Sequence, residues 1–116
     1  MSGREEAGTA VRRALTASMG ATADEQLALA QVRVAWTEVV TEARLERGPL
    51  SSRVRRVTGG TAHVEASDPM LAQELILRGE ALTRAVNERM RGRPGATIVL
   101  IGLAVSVGRA GADRTL

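Results

Sequence analysis

The side chains in this sequence best suited to chemistry are arginines, which account for all 16 basic residues. The densest group, Arg53-x-Arg55-Arg56, lies between two other arginine pairs in the chain. Guanidinium groups bind phosphates and release the counterions condensed on them. The spacing therefore predicts a basic surface that contacts a nucleic-acid backbone. The residues assigned to it are Arg44, Arg47, Arg53, Arg55, Arg56, Arg91 and Arg93.

A solvated charged face explains the same arginines equally well. The formal net charge is only +3, and Glu42, Glu46 and Glu65 lie close to the arginines in the sequence. The sequence pI of about 11.2 follows partly from the lack of Lys, Tyr and Cys, which would titrate below Arg. Charge therefore permits nucleic-acid binding without demonstrating it.

Residues for catalysis or metal binding are sparse. His63 is the single histidine and there is no cysteine, so no metal cluster or disulfide is expected. Ser67-Asp68 follows His63 but has the pattern of a helix cap. A Walker-type phosphate loop is absent. We therefore expect a protein that is not an enzyme and has no cofactor.

The segment Gly92-Arg93-Pro94-Gly95 has the form of the GXXG loop with which KH domains clamp a nucleic-acid backbone. Here it is expected to join a helix to a strand, whereas the KH loop joins two helices. A plain turn built from proline and two glycines is the favoured interpretation.

Helical periodicity predicts three helices. Residues 5–19 form a short first helix, and a second is capped near Thr22 and ends by Arg47, before Gly48-Pro49. Asp68-Pro69 starts a third, which runs to about Met90 although Gly79 in its middle costs roughly 1 kcal/mol. The chain is thus divided into a short helix with its connector, one domain and a mobile tail, at residues 1–22, 23–107 and 108–116.

Two segments predict β-structure. Residues 51–66 form a hairpin around a three-residue loop, with a bulge at Gly60. The apolar run from Ala96 to Val107 alternates as a strand, with Val99, Ile101, Leu103, Val105 and Val107 on one face. The expected cross-strand pairs of the hairpin are Val54 with Val64, Arg53 with Glu65 and Arg55 with His63.

The resulting order α-α-β-β-α-β predicts an α+β fold, in which helices pack on one face of a small three-stranded sheet. The helix between the last two strands should make these strands parallel if they are neighbours, which gives a mixed sheet. Since there is no signal peptide and no apolar run of about 18 residues, we expect a cytoplasmic protein without a membrane partner.

Apolar side chains beyond the needs of a core predict a partner contact. Ile98 and Leu100 lie on the second face of the last strand, which is too apolar to face water, so a helix, a partner protein or a second copy of the chain should cover it. Trp36, the only aromatic residue, is either a partner anchor or, as its helical spacing favours, part of the core. A homodimer is therefore one of the assemblies that the sequence allows.

The succession of segments resembles the DciA family. A Trp-centred helix segment, residues 34–40, is followed by a hairpin that ends in His63-Val64-Glu65-Ala66-Ser67. Ala72-Gln73-Glu74-Leu75, Val86-Asn87 and a final apolar strand come next. The resemblance covers about residues 25–107 and depends on order and spacing, because no single motif is specific.

The resemblance implies a KH-like domain that binds DNA and the DnaB-type replicative helicase, and that assists helicase loading without ATP hydrolysis. Two positions depart from the family pattern: Thr41 stands where members often carry Gly, and Met70-Leu71 where many carry a second Trp. A general KH-like RNA-binding protein and a structural homodimer are the alternative functions.

Overall fold

The computed structural model describes residues 22–108, so the predicted first helix and most of the predicted tail lie outside the described residues. Within this range the fold is α+β, as predicted, with helices packed on a small mixed sheet. The elements are α1 (Ala23–Glu42), β1 (Ser52–Thr58), β2 (Thr61–Ala66), α2 (Pro69–Leu77), α3 (Gly79–Met90) and β3 (Gly102–Val107).

The sheet has the order β1-β2-β3, with β2 in the centre. β1 is antiparallel to β2, and β3 is parallel to β2, which confirms the predicted crossover. Inward residues of the hairpin, Val54, Ala62, Val64 and Ala66, are buried in the core beneath the helices. The register therefore gives the sheet an inner face towards the helices and an outer face with exposed side chains.

Helix α1 supplies much of the core. The Thr22 side chain accepts a hydrogen bond from the Glu25 amide at 3.2 Å and caps the first turn. The predicted end at Arg47 is wrong, since α1 ends at Glu42 and Arg44 takes a left-handed backbone conformation with φ 59°. This reversal turns the next residue, Leu45, into the core.

The predicted third helix is two helices. Asp68 caps α2 as expected, accepting from the Leu71 amide at 2.7 Å, but the chain bends at Arg78 before α3 begins at Gly79. The bend allows Leu75 of α2 and Leu82 of α3 to reach the same core. Gly79 is thus the first residue of a helix and does not lie in the middle of one, contrary to the prediction.

The last strand is shorter than predicted. Of the predicted strand, only Gly102–Val107 pairs in the sheet. Residues 96–101 precede it without regular secondary structure. Leu103 and Val105 pack on the core, as the alternation predicts, but Val99 and Ile101 are 71% and 76% exposed. Before Gly102, therefore, Ile98 and Leu100 point towards the core, and Val99 and Ile101 point towards solvent. Within residues 22–108, no helix has the length and apolarity needed to cross a bilayer.

Candidate nucleic-acid interface

The hairpin places its arginines through a register that the sequence predicted only in part. The pairs Val54 with Val64 and Arg53 with Glu65 are confirmed. The turn contains two residues, Gly59 and Gly60, both with positive φ, instead of the predicted three. The β-bulge lies in β1 between Val54 and Arg56, so that His63 faces Arg56 and not Arg55.

The bulge decides which way the arginines point. In a regular strand, neighbouring side chains alternate between faces, so Arg55 and Arg56 would lie on opposite sides of the sheet. One extra residue in β1 removes this conflict, because a bulge places two residues opposite one partner and redirects the side chains after it. Arg53, Arg55 and Arg56 are consequently all exposed, while Val54 stays buried.

Arg33 of α1 binds the bulge directly. Its Nε donates to the Val54 carbonyl at 2.9 Å, and its Nη2 donates to the Arg55 carbonyl at 3.0 Å. One planar guanidinium thus satisfies two consecutive backbone acceptors of an edge strand. The sequence reasoning missed Arg33 because its partners are 21 and 22 residues away in the chain.

We define the outer face as the solvent-facing side of the sheet. Among residues 22–108 it carries, besides the arginines, one carboxylate, Glu65, and small residues along β3. Within that range, three guanidinium groups against one carboxylate leave the face positive. Its members are Arg53, Arg55, Arg56 and Thr58 on β1, Thr61, His63 and Glu65 on β2, and Gly102, Ala104 and Ser106 on β3.

Glu65 neutralises the outer face incompletely. Its Oε1 lies 3.3 Å from Arg53 Nη2, and its Oε2 lies 3.9 Å from Arg55 Nε. Both arginine side chains remain more than half exposed, and exposed pairs contribute only about 0–1 kcal/mol. Arg56 has no ion-pair partner among residues 22–108. The guanidinium groups of Arg53, Arg55 and Arg56 are therefore accessible to an anionic ligand.

The imidazole of His63 on the outer face is held by a neighbour. Its Nε2 lies 2.7 Å from the Thr58 hydroxyl, which holds the imidazole near the turn end of the hairpin. Nowhere in residues 22–108 do three or more His, Asp or Glu side chains assemble in a way that could hold a metal ion.

Arg93, one of the predicted binding residues, pairs with a glutamate of α1. Its Nη2 lies 2.7 Å from Glu38 Oε1, and Arg89 bridges the Glu38 and Glu42 carboxylates of α1. The Arg93 guanidinium, supported by that of Arg89, lowers the pKa of Glu38 from its ordinary value of 4.5. This cluster links the end of α3 to α1. Arg93 therefore belongs to the helical layer, formed by α1, α2 and α3, and not to the outer face.

The segment around Arg93 is a turn. Gly92 and Gly95 both have positive φ, and the segment leads from α3 into the irregular residues 96–101. This agrees with the plain-turn interpretation and not with a loop between two helices. Arg91, which precedes it, is exposed and lies 3.5 Å from Glu88 of the same helix. The seven predicted arginines therefore do not form a single surface.

Arg44 and Arg47 lie in the connection between α1 and β1. Both are exposed, and neither has a side-chain hydrogen bond or ion pair with another residue in the range 22–108. Arg47 forms a backbone bridge with Leu50, which brings the connection to the start of β1. These two arginines extend the basic character beyond one end of the sheet, whereas only Arg53, Arg55 and Arg56 share the outer face.

The residues assigned to a partner contact are mostly buried within this chain, which corrects that assignment. Trp36 is 1% exposed, and its Nε1 donates to the Ser52 hydroxyl at 3.0 Å. Leu100 is 3% exposed, and Ile98 is half-buried against the same core. The helical layer covers the apolar face of residues 96–100, so these side chains leave little surface for a second protein.

Comparison of the chain with protein-family models, with curated proteins and with solved structures found no match.

Proposed function

We propose that this protein is a non-enzymatic, cytoplasmic accessory module that binds nucleic acid through its outer face. The observation that supports this is the grouping of Arg53, Arg55 and Arg56 on one open side of the sheet, achieved by the bulge. Because Trp36 is buried, the outer face offers no aromatic platform for bases. Recognition therefore depends on phosphates and is independent of base sequence.

The partner we propose is a DnaB-type replicative helicase, with DNA as the nucleic acid. This part of the proposal follows from the resemblance to the DciA family in the segments centred on Trp36, His63 and Asn87. An accessory protein of this class binds the helicase and DNA together and does not hydrolyse ATP. It needs two accessible surfaces, and the outer face supplies the one for DNA.

Fluorescence anisotropy tests the nucleic-acid part. The probes are labelled single-stranded DNA, duplex DNA and single-stranded RNA of equal length, each measured at several salt concentrations. Replacing Arg53, Arg55 and Arg56 together with Gln should weaken binding and lower the dependence of log affinity on log salt by about 2–3. A triple variant that binds like the wild type would exclude the outer face.

A matched control removes the same charge elsewhere. Arg78, Arg84 and Arg91 are exposed arginines of the helical layer, each paired with a glutamate of its own or the preceding helix. Their triple replacement with Gln should leave affinity nearly unchanged. Equal losses in both triple variants would indicate attraction by net charge alone.

Co-purification with the cognate helicase tests the partner. Association at micromolar concentration, retained by the outer-face triple variant, is expected if the helicase uses a different surface. No association would contradict the helicase part of the proposal. If RNA also outcompetes both DNA probes, a general RNA-binding function replaces it.

A further inference from the structure

A shallow depression on the outer face combines several groups that recognise anions. It lies between β1 and β3, across β2. The residues that line it are Arg55, Arg56, His63, Ala104, Val105 and Ser106. Two arginines, a histidine and a serine therefore line one small opening, and Ala104 and Ser106 on β3 have small side chains.

The bulge is what brings Arg55 and Arg56 to the same opening. Arg55 is the extra residue of β1, and Arg56 pairs with His63 on the outer face. Successive residues of a regular strand cannot serve one ligand on one face, because their side chains diverge. Arg33 fixes this arrangement by binding the carbonyl of Arg55 at 3.0 Å. The opening is therefore held in shape by the backbone and not by its own side chains.

The charges around the depression favour an anion. Glu65 is the one carboxylate of the outer face within the described range 22–108, and it lies nearer to Arg53, at 3.3 Å, than to Arg55, at 3.9 Å. Arg56 has no such partner in the described part of the chain. The His63 Nε2 contacts Thr58 on the far side, and Nδ1 has no hydrogen-bond partner among residues 22–108.

We infer that this depression is a seat for one phosphate group of a nucleic-acid backbone, contacted by both Arg55 and Arg56. Planar guanidinium groups match the geometry of phosphate oxygens, and the Ser106 hydroxyl adds a donor from the other side of the opening. The inference deepens the proposed function on which it rests, because it places one phosphate at a defined point instead of a diffuse positive face.

A double-mutant cycle tests whether the two arginines share one phosphate. The probe is a labelled single-stranded oligonucleotide measured by anisotropy. Arg55→Gln and Arg56→Gln should each weaken binding about tenfold. The affinity of the double variant should fall by clearly less than the hundredfold product of the two single losses. Two side chains that contact the same phosphate are energetically coupled. Arg84→Gln, which removes an equal charge from α3, should change affinity less than about twofold.

A second pair of variants probes the opening itself. Ser106→Asp places a carboxylate among the lining residues, at an exposed position, and should abolish binding of the same probe. Thr97→Asp adds the same charge at an exposed position in the segment before β3 and should reduce binding only slightly. Thermal unfolding of each variant verifies that the fold is retained.

The outcomes separate the two levels of the proposal. Coupled losses for the arginines together with selective loss for Ser106→Asp support the phosphate seat. Multiplicative losses, or equal effects of Ser106→Asp and Thr97→Asp, overturn the seat but leave outer-face binding standing. A wild-type chain that binds none of the oligonucleotides, even at low salt, overturns both.

Discussion

Asn87 and the backbone of Leu100 form a closed pair of hydrogen bonds. The Asn87 Nδ2 donates to the Leu100 carbonyl at 2.8 Å, and the Leu100 amide donates to Asn87 Oδ1 at 2.8 Å. The Asn87 side chain thus provides Leu100 with the two backbone hydrogen bonds that a neighbouring strand would otherwise provide. This is why Leu100 points inward although residues 96–101 are not part of the sheet.

Asn87→Ala should lower the free energy of unfolding by about 1–3 kcal/mol, because it leaves two backbone groups of a buried residue unpaired. Urea denaturation measures this loss. Glu88→Ala is the control, since Glu88 is exposed and pairs only with Arg91 among the described residues. Equal stability of both variants would show that water or a shifted segment replaces the Asn87 amide.

Arg33→Lys should loosen the bulge while it keeps the charge. Lysine cannot reach the Val54 and Arg55 carbonyls with a planar fork, so the free energy of unfolding should fall by about 1 kcal/mol. Oligonucleotide affinity should also fall, because Arg55 and Arg56 are no longer held at one opening. Arg91→Lys serves as the control, and a variant Arg33→Lys with unchanged stability and affinity would contradict the role of Arg33.

Stability should depend on pH through Glu38. Its pKa is lower in the folded chain than its ordinary value of 4.5, chiefly because of the hydrogen bond from Arg93. The folded state therefore binds fewer protons there, and the stabilisation is complete above pH 4.5 and is lost as the pH falls through the lowered pKa. Unfolding of Glu38→Gln at several pH values between neutral and acidic should show a weaker acid dependence than the wild type.

Glu74→Gln provides the comparison for Glu38, because Glu74 pairs with Arg78 within one exposed turn at 3.2 Å. If both variants reduce the acid dependence by the same amount, the link between α1 and α3 is not its source.

Two glycines should respond to alanine in opposite directions. Gly60 has a φ of 83°, and an added Cβ would lie 3.2 Å from Ile101 Cγ1, so Gly60→Ala should cost about 1–2 kcal/mol. Gly79 begins α3 with open space around it, so Gly79→Ala should stabilise the chain by about 0.4–1 kcal/mol. Thermal unfolding of both variants gives the comparison. A stabilising Gly60→Ala would disprove the two-residue turn.

Local patterns in the sequence predicted much of this fold. Cap residues such as Thr22 and Asp68, the alternation around Val54 and Val64, and the glycines of the turn act over a few residues, so their effect can be read directly from the chain. The prediction that Arg53 faces Glu65 follows from the same short-range geometry. The three arginines at residues 53–56 were among the predicted binding residues because of their density in the sequence.

The sequence by itself determined the α+β class, the starts of α1 and α2 and the hairpin, because periodicity, caps and turn residues impose backbone conformations locally. Only the tertiary structure decided where the bulge lies, which arginines share a face and which side of residues 96–101 is buried. Those outcomes depend on Arg33 with Arg55 and on Asn87 with Leu100, side-chain contacts to backbone 22 and 13 residues away. Such contacts require the helices to be packed on the sheet, and no local spacing in the sequence predicts them.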